Sequence, residues 1–251
     1  MLKNFSPTKF AIVLGSLFSL QACATVSITE NPVLGVDPNT LEKAYKNSVK
    51  DAKNVEIWEV SDQLSKVTVD NPDLQWKFVE GDKYIRVASW KAKTDYYKPK
   101  PGSIFYNTGD YPIWITLAPQ LQDMCREKGF DEGVGQDTRL EQLLGLKPNS
   151  NYKAFVEFWV KPRDLFRPCP NPDITDESCG LDFPPHVSAQ HRKWIQNERL
   201  TNDYPWTQLG YTYDWNRRTG NHVGLSEFVI KRDADVIIAG IYKTADYCRR
   251  S

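Results

Sequence analysis

Four cysteines in the body of the chain, Cys125, Cys169, Cys179 and Cys248, restrict its folds more than any other feature. What they do depends on the compartment, and the N-terminus bears on that. Residues 1–9 carry Lys3 and Lys9 and no acid, and residues 10–20, FAIVLGSLFSL, form an apolar run. A helix that crosses a bilayer needs about 20 apolar residues. The run is shorter and has the length of the apolar core of a secretory signal peptide. Export places the body in oxidising surroundings, where an even set of cysteines reads as disulfides. Four cysteines allow three pairings. Cys169 and Cys179 bracket a Pro-rich loop and are paired on that ground, which leaves Cys125 with Cys248. In the loop-closure picture the short bridge removes roughly 3 kcal/mol of unfolded-chain entropy and the long one about 5 kcal/mol. The competing use of thiolates is a metal centre. No Cys-x-x-Cys pair occurs, and no metal is expected.

The apolar run ends in Leu20-Gln21-Ala22-Cys23. This resembles the lipobox of bacterial lipoproteins: an aliphatic residue, a variable one, a small one, then Cys. The resemblance covers residues 1–23. It implies that Cys23 receives a diacylglyceryl group and becomes the first residue of the mature chain, with residues 1–22 removed. A terminus carrying several acyl chains, palmitate among them, anchors stably, whereas a single chain binds only marginally. Ala24, not Asp, follows Cys23. In a two-membrane envelope the sorting rule of that family then implies the outer membrane, facing the periplasm. Residues 23–40 read as a short tether holding Asn, Pro, Gly and Asp, and residues 41–251 as one extracytoplasmic domain.

Charge narrows the partners. Lys plus Arg and Asp plus Glu number 32 each. Without Lys3 and Lys9 the mature chain carries a small net negative charge. Such a body has no electrostatic reason to bind nucleic acid. Eight Trp, twelve Tyr and eleven Phe point to a β-rich core, since aromatic residues favour strands and fill interiors.

Periodicity places the elements. Residues 38–52 read as a helix that Thr40 can cap, with Leu41, Ala44, Tyr45, Ser48, Val49 and Ala52 on one face. Val55–Val60 is a candidate strand. Leu74–Val79 and Tyr84–Trp90 flank a hairpin turn at residues 80–83. Ile104–Tyr106 and Ile113–Leu117 are short strands around an Asn-Thr-Gly-Asp turn. Helices are expected over Pro119–Lys128, Thr138–Leu144 and residues 186–199. Further strands are expected at Tyr152–Val160, Leu209–Trp215, Leu225–Lys231 and Val236–Tyr242. A long proline-rich loop occupies 161–185. The expected fold is a single α+β domain, mainly antiparallel, with three or four peripheral helices and two disulfide staples.

Candidate chemistry is sparse. His186 and His191 lie five apart, which on a helix separates them by roughly 140°, a poor spacing for a metal pair. His191 shares a face with Val187, Trp194 and Ile195 and reads as a packing residue. Asp173, Asp176, Glu177 and Asp182 lack the spacing of a calcium loop, and no cofactor is expected. Arg217 and Arg218 form a locally basic turn. Tyr211, Tyr213 and Trp215 alternate along one strand, and a shared ring face can stack on a sugar or a base, or fill the core. His222 and Glu227 flank the entry to the next strand and suit an acid–base pair. No nucleophile elbow, His-Glu-x-x-His or phosphate loop is present. The sequence therefore favours an anchored envelope lipoprotein acting as a non-catalytic binding or assembly module, with an envelope protein or cell-wall glycan as partner. The alternative is a tethered hydrolase or transferase using His222 and Glu227.

Overall fold

The central strands form where short apolar runs, such as Ile113–Leu117 and Ala154–Val160, can be buried on both faces of a sheet. A computed structural model describes residues 37–216 and 220–249. The expected signal segment, Cys23, most of the tether, Arg217 and Arg218 lie outside the described residues. In chain order the described elements are α1 (Pro38–Asp51), β1 (Trp76–Val79), β2 (Asp82–Lys91), β3 (Phe105–Asn107), β4 (Ile113–Leu117), α2 (Ala118–Arg126), α3 (Gln136–Leu143), β5 (Ala154–Val160), β6 (Leu165–Phe166), α4 (Ala189–Thr201), β7 (Tyr211–Tyr213), β8 (Val223–Ile230), β9 (Asp235–Lys243) and α5 (Thr244–Tyr247). None of these helices is long and apolar enough to cross a membrane.

The strands form one antiparallel sheet in the order β3-β9-β5-β2-β4-β8-β6. β1 extends the β4 edge of β2, and β7 extends the β6 edge of β8. The expected α+β, mainly antiparallel class is what the chain adopts. Four helices of eight or more residues surround the sheet, and α5 is a single turn. Both bridges form as expected, Cys125 with Cys248 and Cys169 with Cys179.

Local differences have identifiable causes. The candidate strand at Val55–Val60 is a 3₁₀ turn at Ile57–Glu59, with Glu56 and Glu59 in reciprocal side-chain–backbone caps. Ile57 and Trp58 are exposed; without a buried face nothing favours extension. Helix α1 is capped by Asp37 rather than Thr40: its carboxylate accepts from the Asn39 N–H and from the Thr40 hydroxyl. The β1–β2 turn is tighter than expected. Val79 pairs with Asp82, and Glu80 and Gly81 take left-handed φ angles of 52° and 83°, the backbone of a two-residue hairpin whose twist matches the strands. β3 and β4 do not pair with each other. β3 lies on β9, and β4 lies between β2 and β8.

Each face of the sheet is covered. Ile85, Val87, Ile115, Leu117, Val156, Phe158, Phe228 and Ile230 fill one side. On the other, Ala88, Trp90, Phe155 and Leu225 pack with Leu121 of α2, Leu140 and Leu143 of α3, and Tyr247 of α5. The Cys125–Cys248 bridge closes this second layer by joining α2 to the residue after α5. Here Glu157 is fully buried, pairs with Arg86 and accepts from the Tyr247 hydroxyl at 3.0 Å. Removing a partner from such a pair would leave an uncompensated buried charge.

Candidate functional site

The second face of the sheet carries a transverse row. Register pairs Glu157 with Ala88, Ala88 with Thr116, and Thr116 with Glu227, across β5, β2, β4 and β8. Directly opposed residues share a face, so these four side chains lie on one side. The acids at the two ends differ. Glu157 is neutralised by Arg86. Among the described residues no ion pair or side-chain hydrogen bond reaches Glu227.

Over the Ala88–Thr116–Glu227 part of the row lies a cavity of about 480 Å³. Ala88 is the small residue in that floor. One wall is the C-terminal end of α4 and the loop after it, including Glu198, Tyr204 and Trp206; another is the Leu144–Leu146 turn after α3. Lys91 and Tyr152 close the side toward β5. The volume falls in the range of small-ligand sites, about 300–1,000 Å³.

The aromatic wall is held from behind. Trp114 packs edge-on against Trp206, with centroids 5.8 Å apart, and Trp194 of α4 lies 5.9 Å from Trp114. Trp90 stacks on Tyr152 at 5.3 Å, and its indole N–H donates to the Thr244 hydroxyl at 2.8 Å. These contacts fix the rings before any ligand arrives.

Two buried polar atoms on the cavity residues have no partner among the described residues. They are Thr116 Oγ1 and Trp206 Nε1, on side chains 4% and 7% exposed. A buried donor or acceptor left unpaired costs about 1–3 kcal/mol. Burial also disfavours charge here. It pushes the Glu227 carboxyl up to about 8 and the Lys91 ammonium down to about 8. Glu198 is raised for the same reason, with Arg232 opposing. Glu227 lies deep in the protein yet at the cavity surface, so water or a ligand reaches it.

The expected site residues separate. His222 has a left-handed φ of 56°, stacks on Tyr213 at 4.7 Å and bonds through Nδ1 to the Asp214 carbonyl at 2.8 Å. It is not a lining residue of the cavity, and no hydrogen bond joins it to Glu227. The acid–base pair does not form in this arrangement, because the left-handed turn and the Asp214 bond commit the imidazole to the hairpin.

Tyr211, Tyr213 and Trp215 are buried, not an exposed platform. Their polar ends are spent inside: Tyr211 on the Glu59 carbonyl, Tyr213 on Asp51, Trp215 on the Glu141 and Leu146 carbonyls. Tyr211 and Tyr213 border the cavity. Its remaining rings, Trp90, Trp114, Tyr152, Tyr204 and Trp206, come from segments the sequence reading did not connect. The available signal was Thr116, a polar residue inside the apolar strand IWITL.

His191 packs between Phe166 and Trp194 and bonds through Nε2 to the Cys169 carbonyl at 2.8 Å. Burial lowers its pKa. His186 is exposed. Asp173 and Asp176 bond within the bridged loop, and Glu177 pairs with Lys66. Among the described residues no group of three or more His, Cys, Asp or Glu is placed to hold a metal ion.

No protein family, curated protein or solved structure matches the chain.

Proposed function

We propose that this chain is a membrane-anchored envelope lipoprotein whose body is a non-catalytic binding module, with the cavity over Ala88, Thr116 and Glu227 as its binding site. The anchor is Cys23, and the outer membrane, facing the periplasm, is its location. The observation that carries the binding reading is the cavity itself, of small-ligand size, walled by Trp90, Tyr152, Tyr204 and Trp206 and floored in part by Glu227. A partly open site of this size suits a small ligand or the end of a polymer, which favours cell-wall glycan over a folded envelope protein.

The alternative is a tethered hydrolase or transferase acting through His222 and Glu227. It requires the two side chains to meet, and nothing in their surroundings brings them together.

Two measurements test the reading. Mass analysis of the mature protein should find an acylated chain starting at Cys23, and Cys23→Ser should release the body from membranes. A mature chain beginning elsewhere defeats the anchor. Titration of the full chain with soluble cell-wall glycan fragments should give saturable binding that Trp206→Phe weakens. Binding unaffected by cavity substitutions places the site elsewhere, and turnover of the fragments reinstates an enzyme.

A further inference from the structure

We infer that the outer edge of β9, over Gly240–Lys243, docks an extended acidic segment of another polypeptide, which joins the sheet as one more strand. This surface is separate from the cavity and adds a protein partner to the ligand proposed above.

The edge is left open by the strand pairing. β9 is matched to β5 along its inner side from Ile237 to Lys243. On its outer side it meets only β3, over Asp235–Ile237. A bulge follows, where Ala239 has no partner residue on β5, and bulges end pairing. Past it, no backbone bond reaches the outer side of Gly240–Lys243 among the described residues. Alternate N–H and C=O groups of a strand point to each side, so part of this row faces outward. The segment 98–104 that leads to β3 does not cover it. Every residue there is exposed, and Pro99 and Pro101 have no N–H to offer. An unpaired edge is a template for another strand.

Apolar surface continues from the edge. Ile241 stands opposite Val156, so it lies on the Val156–Phe158 side of the sheet, yet it is 43% exposed. On that side Tyr97 packs on Tyr106 and Phe158, with ring centroids 5.4 and 5.5 Å apart. Its neighbour Tyr96 is exposed, as is Ile104 just before β3. A strand with apolar residues at alternate positions lays them against this surface.

Charge selects the partner. Lys98 and Lys100 precede β3, Lys243 ends the open edge, and Lys153 adjoins the register partner of Lys243. All four are exposed, and no ion pair reaches them among the described residues. Asp95 is the one acid between Lys91 and Phe105. An acidic segment complements this edge. A second copy would set lysine against lysine, the device by which sheets refuse identical edges. A saccharide has no evenly spaced amides to match a strand, and an anionic lipid surface would leave the edge N–H groups unmatched.

The test is titration of the full chain with three fluorescein-labelled, end-blocked peptides: TEVEVEVT, its lysine counterpart TKVKVKVT, and TEVEPEVT, whose proline interrupts the strand. Only the first should bind saturably. Lys98→Glu/Lys100→Glu should weaken it roughly fivefold to tenfold, the scale of two exposed charge contacts, and Ile241→Asp should weaken it as well. Hydrogen exchange read residue by residue should show the outward amides of Gly240–Lys243 exchanging fast in the free protein and slowly with TEVEVEVT bound. Glycan titration of the same variants should be unchanged, because none of these residues lines the cavity. Failure of TEVEVEVT to bind, or equal binding of the lysine peptide, overturns the inference. So does slow exchange of the free edge at every protein concentration, which means that it is already covered. Protection that grows with protein concentration alone gives the edge to a second copy. Binding to vesicles of anionic phospholipid that Lys98→Glu/Lys100→Glu abolishes, without peptide binding, gives the surface to a membrane.

Discussion

At the scale of the residue, Glu227 shows how position overrides type. It and Glu157 lie on one transverse row of the same sheet face. One is ion-paired to Arg86, and the other is raised to about 8 by burial alone. The sequence pointed to Glu227 but joined it to His222, five positions away. Nearness in the chain is a weak guide on a strand, where the functional neighbour is across the ladder. Thr116, its register partner, is 111 positions earlier and no local pattern connects them. The raised carboxyl has a stability consequence. Its folded pKa exceeds the unfolded value, so between about pH 4.5 and 8 the unfolded chain binds fewer protons, and stability falls as pH rises through that window. Below it the acid is protonated in both states and there is no penalty. Glu227→Gln should therefore raise the melting temperature at pH 8, by a free energy of at most about 4 kcal/mol, and make no gain at pH 4. Calorimetric melting across that range checks the sign. A variant less stable at pH 8 would mean that the ionised carboxyl is stabilised in the fold.

Among the elements, the bridged loop after β6 depends on a residue the sequence did not single out. Arg167 is fully buried. Its guanidinium donates to the carbonyls of Ser65, Asp173 and Asp176 at 2.9–3.2 Å and lies 4.7 Å from the centre of the Phe228 ring. The loop closed by Cys169 and Cys179 is thus folded around a cation, and burial lowers that cation's pKa to about 10. Gly210 makes room for it, since a Cβ there would come within 2.7 Å of Arg167 Cδ. Arg167→Met keeps the volume and strips the carbonyls of their donors. It should destabilise the body by about 3 kcal/mol, measured by chemical denaturation. Strands were legible where apolar residues alternate or run together, as in β2, β5 and β8. The pairing of β3 with β9 was not, because three-residue strands carry too little pattern to choose a neighbour. The short disulfide was legible because its loop is local. The arginine at its centre was not, because in sequence it resembles any exposed cation of a polar loop.

For the whole molecule, the sheet, its helical layer and the two bridges agree with the α+β reading, and composition and cysteine parity sufficed for that class. The cavity was not foreseeable, since its residues come from β2, β4, α2, β7, β8, the end of α4 and the turn after α3. Only long-range packing assembles them. The Cys125–Cys248 bridge spans 123 positions and should contribute about 5 kcal/mol through unfolded-chain entropy. A Cys125→Ser/Cys248→Ser double variant should melt well below the parent. Because Leu121 of α2 lines the cavity, its glycan titration should weaken as well.

That bridge also sets an order of events. On the proposed export route, a chain threaded across a membrane from its N-terminus delivers Cys125 first, then Cys169 and Cys179, and Cys248 last of the four. Joining cysteines in order of arrival would pair Cys125 with Cys169, and Cys179 with Cys248. Neither is the native partner. If the body is exported as proposed, a host lacking an activity that reshuffles disulfides should accumulate the protein with its cysteines joined in sequence.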